Sequence, residues 1–325
     1  MKKGLFITLL VVLFTLVSSV AFADPVDLTG QVSTQYRFNN VNGNDGSHNN
    51  VTTLILNAKA NLAPNFELYA RFGAQGVSGP NQNYWSGRNF NSVDYKGNFA
   101  ADIDQFGFIY KNSGATYTVG RQGLYLGQTG LLYDDTFLIG KHQFVDGVTA
   151  TDTFGKVNVT GVIAQEDRIG TGTNTDNKIY AISGTYSPFK PLVLGATLAD
   201  YSVVNGHSTN HYAVSGAYTY DKAVFSAEVA GSSATNRNSA YDYGVNYNVS
   251  PKASVFVTKF KVEANGDIGG MTTFDNLTNG EQGLYYGVNY KFASNTNMNI
   301  LMVNDKSLGD GTKNTSFRGT LTFTF

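Results

Sequence analysis

Four histidines, His48, His142, His207 and His211, are the candidates for base or metal chemistry. His207 and His211 stand four apart in His-Ser-Thr-Asn-His. On an extended chain they lie about 13 Å apart, too far to share one ion. His142 has no identifiable base and orienting partner of the kind a hydrolytic triad needs. The chain has no Cys, which excludes thiolate metal sites, a Cys nucleophile and disulfides. No catalytic residue, metal site or cofactor is therefore expected. Asn44-Asp45-Gly46 and Asn265-Gly266-Asp267 carry carboxylates beside turn residues. A surface site for a hard cation competes there with the plainer reading as turns.

What remains is fixed charge. Arg37, Lys59, Arg71 and Arg318 each sit on the polar face of an alternating segment. Asp134-Asp135 lies in a long connection, where a surface turn is the competing reading. Globally the chain is close to neutral: 23 basic and 24 acidic residues give −1 over 325 residues. That balance argues against a nucleic-acid binder. Charged residues are only 14% of the chain, while Phe and Tyr number 22 and 20, which excludes a disordered polymer.

The elements that carry these charges repeat every two residues. In the last twelve positions, Thr315, Phe317, Gly319, Leu321, Phe323 and Phe325 oppose Asn314, Ser316, Arg318, Thr320, Thr322 and Thr324. Leu28, Gly30, Val32, Thr34, Tyr36 and Phe38 oppose Gln31, Ser33, Gln35 and Arg37. Leu54 to Leu62 and Phe66 to Ala74 alternate likewise, with Lys59 and Arg71 on the polar side. Period two over this length predicts strands with one apolar face, and about 9 to 11 tilted residues cross a bilayer.

Seven short connections carry turn residues, at 63–65, 112–114, 153–156, 187–191, 221–222, 250–252 and 294–296. Between them lie eight longer polar stretches: 40–50, 76–98, 122–144, 165–177, 202–210, 232–240, 264–282 and 305–313. Fifteen connections imply sixteen strands. Short turns at one end and longer loops at the other predict an all-β, transmembrane antiparallel β-barrel. A soluble β-sandwich is the rival. It does not explain why Tyr and Phe collect near strand ends, where a bilayer has its interfaces.

The N-terminus reads as a secretory signal. Lys2 and Lys3 precede an apolar run from Leu5 to Leu16, and Ala21-Phe22-Ala23 is a cleavage pattern. Residues 1–23 are the expected signal peptide and 24–325 the barrel domain. Beyond the signal, no run of about 18 apolar residues exists, so a membrane could be spanned only by strands.

The interior of a sixteen-stranded barrel is too wide to fill with side chains, so inward groups meet water. The last strand must pair with the first. Arg37, Lys59, Arg71 and Arg318 would then share one wall, although scattered solvated charge is an equally simple reading.

The chain resembles the sixteen-stranded general porins of Gram-negative outer membranes. The signal peptide, the alternating Phe317, Leu321, Phe323 and terminal Phe325, and the segment Gly114 to Gln122 carry the resemblance. So does the polar stretch that follows, which returns through Val145 to Ala150. The resemblance implies a water-filled channel for passive diffusion of small polar solutes, and no enzyme. It implies a third loop folded inward, with Asp134 and Asp135 facing the basic wall. It places Arg121 in the basic cluster, which requires a parity break after Gly120, because simple alternation turns Arg121 outward. Phe317, Leu321, Phe323 and Phe325 would be read by the barrel assembly machinery. The implied surroundings are outer-membrane lipid and lipopolysaccharide, and the implied assembly is a homotrimer. Small outward residues (Gly30, Ala58, Ala60, Ala70, Ala74) are compatible with a subunit face, and the loop bearing Trp85 and Arg88 would latch a neighbour. A substrate-selective porin and a plugged structural barrel are the alternatives.

Overall fold

The computed structural model describes residues 26–43, 46–79, 98–140, 142–169, 174–204, 206–274 and 280–325. The signal segment, Trp85, Arg88, Asn44 and Asp45 lie outside the described residues.

Sixteen strands close into one antiparallel barrel. They are β1 (Asp27–Val41), β2 (Ser47–Ala63), β3 (Phe66–Ser78), β4 (Phe99–Asn112), β5 (Ala115–Gln122), β6 (Val145–Phe154), β7 (Val157–Glu166) and β8 (Lys178–Phe189). The second half comprises β9 (Leu192–Ser202), β10 (Ser208–Tyr220), β11 (Ala223–Ser232), β12 (Ser239–Ser250), β13 (Ala253–Val262), β14 (Glu281–Ala293), β15 (Thr296–Ser307) and β16 (Lys313–Thr324). Each strand pairs with its sequence neighbours, and β1 pairs with β16 from Gln31↔Thr324 to Val41↔Asn314. Reciprocal bonds between Gly30 and Phe325 finish the seam, at 2.9 and 3.0 Å. The terminal Phe is thus a ladder residue.

All seven short turns fall where turn chemistry puts them. Several of the longer stretches are shorter than their polarity suggests: only residues 42–46, 203–207 and 308–312 separate their strands. Backbone pairing continues into polar residues above the apolar alternation, so β2 runs for 17 residues. Polarity marks where lipid ends, whereas the ladder ends only where partners run out.

The outer face is apolar and uncovered. Ile163 and Leu198 are 64% and 63% exposed, and Val32, Phe106, Val214, Phe225, Leu321 and Phe323 are also exposed. An apolar belt around the whole circumference has no place in water. It fits a bilayer, where strands cross only as a closed barrel without free edges. Strands about 4.8 Å apart and tilted by about 40° give a sixteen-stranded barrel roughly 30 Å across.

One irregularity matters to the interior. Between β3 and β4 the register steps from Arg71↔Gln105 to Phe72↔Ile103, leaving Asp104 as the extra residue of a bulge. A bulge re-aims the side chain it carries. Here it turns Asp104 inward, although alternation from Phe106 and Phe108 would send it to lipid.

Candidate functional site: the lumen and its inward-folded loops

Near the short-turn end, many inward positions are small and neutral. Thr116, Thr151, Asn158, Thr185, Ser226 and Asn246 occupy the face that higher up carries the buried residues Val162, Ala164, Ala230 and Ala240. Hydroxyls and amides of this kind hold water and carry no net field.

The basic residues read from the sequence fall into three situations. Arg37 and Arg318 are direct cross-strand partners at the seam. Arg37 Nε donates to Asn39 Oδ1 at 3.3 Å, and Arg318 Nε to Ser316 Oγ at 3.4 Å. Lys59 and Arg71 also face inward, and each meets a carboxylate. Lys59 Nζ lies 3.1 Å from Glu67. Arg71 donates to both oxygens of Asp104, at 2.7 and 2.9 Å, and to the Leu138 carbonyl at 2.9 Å. Its guanidinium also sits 4.5 Å over the Phe144 ring. Asp104 is 0% exposed and accepts a further bond from Gly140 N at 3.1 Å. Arg71 is therefore a strut from wall to loop. Gly73 makes room for it: a Cβ there would lie 2.6 Å from Asp104 Oδ2. Nothing in the alternation of β4 points to Asp104. Its only signal is a pair of aspartates, Asp102 and Asp104, the two acidic residues of the strand.

Arg121 is not part of this wall. The ladder stays in step through Gly120, pairing Phe106↔Arg121 and Arg121↔Asp146. These positions share a face with Val119, Val148 and the exposed Ile163, which is the outer face. The parity break expected after Gly120 is absent. The cost of an outward arginine is met by ion pairs instead, 2.6 Å to Asp146 and 2.5 Å to Asp167. His142 Nδ1 lies 3.1 Å from the other oxygen of Asp167.

The third loop (123–144) crosses the lumen. Tyr125–Leu126 pairs with Tyr133–Asp134, making a small hairpin. Its tip reaches the far wall. Glu228 Oε2 accepts from Gln128 N and Thr129 N, both at 2.7 Å. Thr129 Oγ1 lies 2.9 Å from the same oxygen and 2.5 Å from Asp242 Oδ2, one hydroxyl proton between two carboxylates. Glu228 and Asp242 are cross-strand partners on β11 and β12. Sequence reading missed both, because single acids on inward positions look like solvated charge until a loop arrives to use them.

Asp134 and Asp135 do not face the basic wall as open charge. Both are buried. Asp135 Oδ1 accepts from Leu124 N at 2.6 Å. Asp134 accepts from Thr136 N and Oγ1 at 3.0 and 2.6 Å, and from Thr273 Oγ1 at 2.7 Å. They shape the loop from inside, as capping carboxylates do in turns. The loop's aromatics divide: Tyr133 and Phe144 are buried, whereas Tyr125 and Phe137 are exposed.

The remaining residues singled out from the sequence have simpler surroundings. His211 Nε2 lies 2.9 Å from Thr209 Oγ1, with the ring edge-on to Tyr201. Asp267 is buried. Leu321, Phe323 and Phe325 are exposed on the outer face, and Phe317 lies 6.2 Å from Tyr36 across the seam.

No protein-family model and no curated protein matches the sequence. Solved structures do match. A five-substitution mutant of Rhodopseudomonas blastica porin superimposes with a TM-score of 0.60 at 13% identity, over 92% of this chain and 100% of that one. The chain has the fold of a sixteen-stranded bacterial porin. A triple mutant of the same porin gives a TM-score of 0.58 at 13% identity, with the same coverage. A structure described as "Asymmetric conductivity of engineered proteins" gives 0.60 at 13%, again over 92% and 100%. At this identity the porin likeness concerns architecture, so the chemistry rests on the residues above.

Proposed function

We propose that the protein is an outer-membrane porin, a water-filled channel for passive diffusion of small hydrophilic solutes and ions. The observation that carries this is the pairing of an apolar outer belt with inward hydroxyls and amides near the short-turn end, in a barrel too wide to be packed solid. In this reading residues 1–23 are removed on export. The alternating Phe317, Leu321, Phe323 and Phe325 serve recognition by the barrel assembly machinery. Outer-membrane lipid and lipopolysaccharide surround the belt, and three copies form the working unit. The channel is not an enzyme.

Selectivity follows from the charge pairing. Lys59 and Arg71 each face a carboxylate, so the field they project is small, and Arg37 and Arg318 stand side by side on the same wall. The expected ion preference is weak and towards anions. Tyr125 and Phe137, exposed on the loop, favour a second reading in which sugars stack on the way through. Swelling of liposomes containing the refolded protein separates the two. Passive diffusion gives rates that fall smoothly with solute size. A sugar-selective channel gives saturation by one solute. Absence of swelling with every small solute contradicts both.

A further inference from the structure

The seventh loop, between β13 and β14, reads in the sequence as a long polar connection. Its described part, residues 263–274, instead turns into the barrel. Ile268, Met271 and Phe274 are buried in one cluster with Leu131 and Leu132 of the third loop and with wall residues Phe260, Val262 and Tyr285. Phe274 stacks on Phe260 at 4.9 Å and meets Tyr285 edge-on at 5.3 Å.

Main-chain bonds zip the two loops together. Asp134 N donates to Met271 O at 2.9 Å, Ile268 N to Leu132 O at 3.0 Å, and Thr273 N to Gly130 O at 3.1 Å. Thr272 Oγ1 adds a bond to Gly130 O at 3.2 Å. The inward turn is made by Gly269 and Gly270, at φ 64° and 73°. Consecutive left-handed residues are a glycine privilege. A Cβ at Gly269 would also lie 2.8 Å from Tyr201 Oη and 3.2 Å from Glu166 Oε1.

The apolar cluster beneath these loops takes wall residues from every strand from β6 to β15, and none from β16 or β1 to β5. The third loop then ties to β3 through Arg71, and its Ile139 packs in a small cluster with Ala100 of β4 and Ile55 of β2. The arc left over is β16 and β1, with Gln35 bonded to Thr320 at 2.9 Å across the seam.

We propose that the seventh loop is a second constriction element. Together with the third loop it sets the size limit for permeating solutes and moves the passage off the barrel axis, towards β16 and β1. This rests on the channel reading and adds a specificity-determining segment to it.

The test replaces residues 264–279 with a short Gly-Ser turn in the otherwise complete mature chain. Single-channel conductance and exclusion of graded polyethylene glycols are read in planar bilayers. The expected result is a conductance about doubled, with entry of larger polymers, because the two loops share the cross-section of the lumen. Wild-type conductance and cut-off in a folded, heat-modifiable variant overturn the proposal. Thr273→Val separates volume from attachment, since it keeps the loop but removes the hydroxyl's bonds to the Asp134 carboxylate and the Thr129 carbonyl. A rise as large as that of the replacement would mean that the loop acts only by holding the third loop, and would also overturn the proposal. If the replacement does not fold, Gly269→Val, which unseats the turn from Tyr201, decides by the same two readouts. A silent wild type with a conducting replacement would mean that the loops plug the barrel, and would overturn both the proposal and the channel reading. Silence in both sinks the channel reading itself.

Discussion

Removing Asp104 tests whether Arg71 is a strut or a free lumen charge. Asp104→Ala takes away both carboxylate acceptors of the Arg71 guanidinium and the acceptor for Gly140 N. Arg71 is then left 11% exposed with a positive charge and the Leu138 carbonyl as its remaining bonded acceptor among those named. Breaking one side of a buried pair costs about 3–5 kcal/mol, mostly from the orphaned charge. The Phe144 face keeps the cost towards the lower end, since a desolvated cation–π contact returns about 2 kcal/mol. Arg71→Ala combined with Asp104→Ala removes the orphan, so the double variant should recover part of that loss. Urea titration of the barrel in detergent micelles reads the stabilities. Reversal potential across a dilute salt gradient reads the charge, at ionic strength low enough for a Debye length near or above 10 Å. Asp104→Ala should shift selectivity towards anions, and the double variant should return it. Equal stability in the single and double variants, with no shift in reversal potential, would refute the strut.

Other perturbations have equally definite outcomes. Glu228→Ala removes the acceptor for two third-loop amides and should make open-channel current noisier, with protease cleavage appearing near Thr129; a quiet, resistant channel contradicts the latch. Asp146→Ala strips Arg121 of a partner on the lipid-facing side, where an unpaired arginine costs up to about 2–4 kcal/mol; it should lower thermal stability while leaving ion selectivity unchanged. Asp310, in the loop joining β15 and β16, has its carboxyl pulled down from 3.8 to about 2 by the Thr312 amide, then the Ser307 and Thr312 hydroxyls. Its contribution is present above pH 3.8 and lost as pH falls through 2, so amide exchange at Thr312 should quicken in that window in the wild type but not in Asp310→Asn. Phe325→Ser should reduce assembly in cells far more than refolding in micelles, if the terminal ring is read as a signal rather than needed for the seam.

The strands were legible because lipid imposes a two-residue rule on every one of them, and turn residues mark every return. Strand count, seam and the inward parity of Arg37, Lys59, Arg71 and Arg318 all follow from that rule. What stayed hidden lies where the rule is broken or where loops bring distant segments together. The bulge at Asp104 reverses parity, and no local residue announces it. Gly120 looks like a break point and is not one. Glu228 and Asp242 gain their meaning only from Thr129, about a hundred residues earlier in the chain. The seventh loop's polar content concealed Ile268, Met271 and Phe274, whose spacing of three is not the two-residue period of a strand and, interrupted by Gly269 and Gly270, makes no helical stripe.

The most direct test of the central claim is single-channel recording of the purified, refolded mature protein in a planar bilayer. The account predicts stable, ohmic conductance steps with a small reversal potential towards anions in a salt gradient. A folded, heat-modifiable barrel that inserts and passes no current would contradict it.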